Sequence, residues 1–181
     1  MSDGLAAVDD FAATLPRQSW FAACGEPLGD CDLAEARLYV EALGLGELPI
    51  AGVGSWCDAA MVTRRADWSE AWWQAETAAQ ADLQKRAAAR WGEAPLRAAL
   101  NAVTAAAAGL HGAAALAAGA AGIADPALTR VAAGAAAQAC HQAALALAAE
   151  AGSEHLFAVK YRLFAAGRWP LGIVGGQFHL F

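Results

Sequence analysis

Apolar residues recur at spacings of three and four along most of the chain, and that period predicts a mainly helical protein. Leu5, Val8, Ala12 and Leu15 share one side of a segment from about Asp3 to Thr14, Asp9 and Asp10 take the other side, and Pro16 ends it. Leu33, Ala36, Val40 and Leu43 make the next stripe, opened by an Asp32/Glu35 capping-box pattern and stopped at Gly44. Ser55 with Asp58 predicts a third helix to about Arg65, and Asp67 with Glu70 opens a long one that reaches Trp91 before Gly92.

From Pro95 to Gly122 the strong positions Leu96, Leu100, Val103, Ala107 and Leu110 alternate by four and three, the pattern of a heptad seam. Asp125-Pro126 is an N-cap followed by Pro at the first helical position, and the helix it opens runs to about Glu150. So short a break makes the two helices antiparallel neighbours, and this Ala-rich hairpin, residues 95–150, is the expected spine. Ser153 is expected to cap a last helix ending at Gly167.

The period then changes. Trp169 to Val174 and Gln177 to Phe181 are short extended runs about Gly175-Gly176, which predicts a β-hairpin over 168–181. In that register Ile173 faces Phe178 and Leu171 faces Leu180 on the side that covers the helices, while Pro170, Gly172, Gln177 and His179 face solvent. Between the second and third helices, Pro49, Gly52 and Gly54 leave room for one short edge strand or an extended connector. The fold class is therefore mainly α: a single-domain helical bundle over 1–181, built around a long Ala-rich antiparallel helix hairpin, with a small C-terminal β-hairpin.

Composition narrows the function classes. The chain has 181 residues, suited to one domain, and alanine makes up about half of its 58% hydrophobic residues. A net charge of −6 gives no electrostatic footprint for nucleic acid, and no nucleic-acid partner is expected. The stretch from Ala98 to Ala124 carries no formal charge, but it holds few large apolar residues and includes Asn101, His111 and several glycines. It is read as a buried helix rather than a membrane span. The N-terminus lacks a basic region followed by an apolar core, and Cys24, Cys31, Cys57 and Cys140 show neither zinc-site spacing nor disulfide density. Free thiols in a cytoplasmic protein are the expectation.

Three groups of residues stand out. Trp68, Trp72, Trp73 and Trp169, four of seven tryptophans, are candidates for a partner-binding surface, the alternative being an aromatic ledge packed over small side chains. Lys160 falls inside the apolar arc of Leu156, Phe157, Val159, Leu163 and Phe164, so a lysine points at the core. Its stem packs there while the ammonium snorkels out or meets a carboxylate; the catalytic alternative is a base or Schiff-base nucleophile. His111 and His141 are expected at similar levels of the helix hairpin and, with Cys140, are candidate metal ligands for zinc or copper, or a grip on haem. Independent histidines are the competing reading.

No nucleophile elbow, P-loop, His-Glu-x-x-His or calcium loop is present. The sequence therefore points to a noncatalytic bacterial accessory or interaction protein with no cofactor, bound to another protein or to itself as a homodimer. The second reading is a small-molecule, metal or cofactor binder with its site between the two Ala-rich helices, and the third a small enzyme around the buried Lys160.

Overall fold

The computed structural model describes residues 3–181, with side chains from Gly4 onward. Its helices are α1 (Asp3–Thr14), α2 (Asp30–Ala42), α3 (Trp56–Thr63), α4 (Glu70–Trp91), α5 (Glu93–Ala106), α6 (Leu110–Ala120), α7 (Pro126–Ala148) and α8 (Leu156–Ala165). Three strands, β1 (Ile50–Gly52), β2 (Pro170–Val174) and β3 (Gln177–Leu180), complete a mainly α fold.

The central element is α7. It packs against α1, α4, α5, α6 and α8, and its inward positions are almost all small: Ala132, Ala136, Ala139, Cys140, Ala143 and Ala144. Asp125 caps it by accepting from the Ala127 and Leu128 amides, with Pro126 following. At the other end Arg86 and the Trp91 indole N–H, both from α4, donate to the carbonyls of Ala149 and Ala148. α5 and α6 form one rod, Glu93–Ala120, interrupted by a single 3-10 turn at Ala107–Gly109, and all five residues of the heptad seam are buried. Glu93–Ala120 and Pro126–Ala148 are both long and apolar enough to cross a membrane by length and composition; most of the second is buried inside the bundle, whereas the first, expected to be a buried helix, is only 28% buried, because its seam faces inward and its other sides do not.

Several boundaries differ in detail from the sequence reading. α2 starts at Gly29, whose amide donates to Asp32, because the Asp32 carboxylate is also held by Arg168; Glu35 instead accepts from Arg162. The N-cap of α4 is Ser69, whose hydroxyl accepts from the Trp72 amide, while Asp67 is taken up by an ion pair with Arg65. His155, not Ser153, caps α8: its Nδ1 accepts from the Phe157 amide at 3.2 Å.

The β-hairpin forms, but within a three-stranded sheet ordered β1-β3-β2, with β1 parallel to β3. Ile173 faces Phe178 as expected, whereas an irregularity between Pro170 and Gly172 pairs Pro170, not Leu171, with Leu180. Of the side expected to face solvent, Gln177 does, while Pro170, Gly172 and His179 do not. β2 is buried along its whole length and His179 is only 8% exposed. The 67–69 segment bonds to the outer edge of β2, through Ser69 N–H to Ile173 O and Gly175 N–H to Asp67 O, and brings the start of α4 over it.

Candidate functional site

The strand edge and the first turns of α4 enclose a pocket of about 260 Å³. Trp72 and Glu76, one turn apart on α4, share a face by helical spacing. On α7 the run Val131, Ala135, Gln138 reaches the same space, with Gln142 one further step inward. Thr63 ends α3 at the rim, Trp68 comes from the following turn, and Trp169, Pro170 and Leu171 close the sheet side. Lys160 of α8 completes the wall. Thus the four tryptophans and the lysine singled out in the sequence line one cavity.

Their exposure is unequal. Trp73 is 48% exposed and stands at the mouth with Val131 at 51%; Trp72 and Trp169 are buried at 5% and 1%, and Trp68 is half-buried. Trp68 and Trp72 stack with ring centroids 5.9 Å apart and an interplanar angle of 25°, and Trp73 follows at 4.7 Å from Trp72. Trp169 belongs to the core, tilted against Trp56 and edge-on to Phe21. A broad exposed tryptophan surface is therefore absent among the described residues, and only the Trp73 end of the ledge is open.

The floor is ionic. The Lys160 Nζ donates to Glu76 Oε1 at 2.6 Å, to Oε2 at 2.9 Å and to Gln142 Oε1 at 3.2 Å, with both side chains of the ion pair under 8% exposed. The Tyr39 hydroxyl donates to Glu76 Oε1 and accepts from the Trp72 indole N–H at 2.8 Å. Gln142 passes the chain on, donating to Gln80. Burial pulls the Lys160 ammonium below its ordinary range while the Glu76 carboxylate opposes that pull, and burial followed by the Glu76 charge pushes the Tyr39 phenol well above its own. A network across α2, α4, α7 and α8 so placed answers the desolvation of two charges with hydrogen-bond partners from several elements. The lysine points inward, and what it meets is Glu76.

The histidine pair is not assembled. His111 lies in a shallow groove between α6 and α7 beside Arg130, Ala133 and Gly134, whereas His141 faces Leu100 and Asn101 in a different groove between α4, α5 and α7. Cys140 is fully buried. Among the described residues no three His, Cys, Asp or Glu side chains form a metal-holding cluster. The register places His111 opposite residues 130–137, nearer the turn than an equal-level pairing requires.

Two features escaped sequence reasoning. Glu76 lies on the buried stripe Trp72, Glu76, Leu83, Ala87, so a carboxylate on an apolar stripe was the available signal for a partner to Lys160. Arg168, also buried, clamps the 23–32 segment by donating to the carbonyls of Ala23, Glu26 and Pro27 and to Asp32; no local spacing announces it. A roomier groove of about 690 Å³ runs between α1, α7 and α8, with walls largely of alanine, Phe11 and Tyr161, and its rim charges Glu150 and Arg162 are paired with Arg90 and Glu35. Among the described residues, aromatic faces and a buried charged network meet at the smaller pocket. Compared with family models, curated proteins and solved structures, the chain shows no significant match.

Proposed function

We propose that the protein is a noncatalytic binder of a small organic molecule, held in the pocket between α4, α7, α8 and β2. The observation that carries this reading is the convergence of Trp68, Trp72 and Trp73 with the Lys160–Glu76 pair on one cavity. Binding sites are typically apolar and aromatic with a few fixed polar groups, and ionisable residues with displaced pKa values concentrate there. At about 260 Å³ the cavity falls just under the ~300 Å³ at which drug-sized sites begin, so its occupant is a compact ring-sized compound. No nucleophile with a free general base adjoins the pocket, since the Lys160 donors are fully engaged, which supports binding over catalysis.

The test is calorimetric titration and thermal-shift screening with one- and two-ring compounds, repeated on Ala135→Leu, which fills the pocket from its α7 wall. Saturable binding that the variant abolishes supports the proposal. Absence of binding, or binding equal in the variant, overturns it. The exposed Trp73 and Val131 at the mouth favour a second reading, in which the same pocket receives one apolar side chain of a partner protein.

A further inference from the structure

The ionic floor also selects the chemistry of the occupant. A carboxylate offers about four acceptor positions, two on each oxygen. Glu76 Oε1 uses both of its own, for Lys160 and Tyr39, while Oε2 receives only Lys160. The other groups at the floor have nothing left to give: the three ammonium hydrogens of Lys160 go to Glu76 and Gln142, the Tyr39 hydroxyl to Glu76 and the Trp72 indole N–H to Tyr39, while Gln142, which keeps one amide hydrogen beyond its bond to Gln80, lies behind the lining. The floor therefore has a spare acceptor and no matching donor. A full positive charge is a poor match for that acceptor, because the Lys160 ammonium already stands 2.9 Å from Oε2 and would repel a second cation across the same oxygen. At the floor an anion is disfavoured by the Glu76 charge, since Lys160 has no free hydrogen with which to offset it; the remaining donors, the Gln138 amide and the Trp68 and Trp73 indoles, belong to the walls. The indole walls favour a flat ring that can lie against them.

We infer that the pocket takes a flat, neutral heteroaromatic or phenolic molecule whose N–H or O–H donates to Glu76 Oε2. This rests on the small-molecule reading of the same pocket. The probes are 3-methylindole, 1-methylindole and benzylammonium, titrated by calorimetry into the full chain and into Ala135→Leu. The two methylindoles are isomers of equal bulk, and only the first keeps its N–H. A hydrogen bond to a charged acceptor predicts that 3-methylindole binds roughly tenfold or more tightly than 1-methylindole, with benzylammonium the weakest of the three. Equal binding of the two isomers, abolished by Ala135→Leu, overturns the donor assignment and leaves the pocket standing. Tightest binding by benzylammonium overturns the neutral-ligand assignment. Failure of all three probes, or binding that Ala135→Leu leaves unchanged, removes the pocket reading itself and this inference with it.

Discussion

Gly172 of β2 lies directly against the benzene ring of the Trp72 indole, so that a Cβ on it would stand 2.6 Å from Cζ3 and 3.0 Å from Cζ2. The φ of Gly172 is 127°, a region that side chains rarely adopt. One position thus fixes both how closely the helix start approaches the sheet and which residue can make the strand there. Gly172→Ala is expected to cost about 3 kcal/mol, from backbone strain and overpacking together. Urea unfolding measures it. Measured in a Trp72→Leu background, the cost of Gly172→Ala should shrink to the strain share; a cost that vanishes there would show that the backbone was never the constraint.

The Lys160–Glu76 pair yields a test by subtraction. Lys160→Met leaves the Glu76 carboxylate buried beside Tyr39 with no cation, a loss expected at about 3–5 kcal/mol. Glu76→Gln added to that variant removes the stranded charge while keeping an acceptor for Tyr39. The double variant should be more stable than Lys160→Met alone, by about 2 kcal/mol or more. A double variant as unstable as the sum of the two single ones would mean that the groups do not interact as the geometry requires.

Periodicity carried most of the helical architecture. Leu96, Leu100, Val103, Ala107 and Leu110 were spaced as a seam and all five are buried, and Asp125-Pro126 opens α7 as its chemistry demands. Caps were less legible, because several polar residues near each helix start compete and the tertiary partner decides. Arg65 draws Asp67 away from α4, and Arg168 fixes Asp32 at α2. The solvent side of the hairpin was misread because alternation reports one covered face and cannot show that the 67–69 segment covers the other. Of the site, Lys160 was visible as a misfit on its own helix. Its partner Glu76 lies 84 residues away in sequence, and only the fold brings the two stripes together.

His155 ties stability to acid. Its Nδ1 can accept from the Phe157 amide only when unprotonated, and burial, reinforced by the Arg86 charge, lowers its pKa. A histidine whose folded pKa is lowered contributes stability that is complete above the unfolded value near 6.5 and is lost as pH falls through the folded value. His141 and His179, lowered by burial, act in the same direction. At pH 7.5, His155→Ala should cost about 1 kcal/mol by loss of the cap. His155→Asn keeps a capping oxygen without a titrating group, so its melting temperature should fall less than that of the parent between pH 7.5 and 5. An identical fall in both proteins would place the acid sensitivity elsewhere.

Alkali should weaken the fold through its buried thiols. Cys24, with Sγ 3.6 Å from the carbonyl oxygens of Gly167 and Phe181, and Cys140, inside α7, are both raised by burial from 9.0 to about 12. Between those values the unfolded thiols are ionised while the folded ones keep their protons. The folded state then binds more protons, so stability falls as pH rises, by up to about 1.4 kcal/mol per pH unit for each thiol. The Tyr39 phenol, raised by burial and by Glu76, and the Tyr161 phenol, pushed by burial to about 12, add to the fall above pH 10. Lys160 has the opposite sign, since its lowered folded pKa makes the folded state release its proton first and recovers stability up to the unfolded value near 10.5. The two thiols and the two phenols share one sign and Lys160 opposes them, so the urea midpoint should drop between pH 8.5 and 10.5. In Cys24→Ala/Cys140→Ala the drop should be smaller than in the parent, because the share of the two thiols is gone. A parent midpoint that stays level over that range would mean that the thiolates form inside the fold without penalty, contrary to their burial.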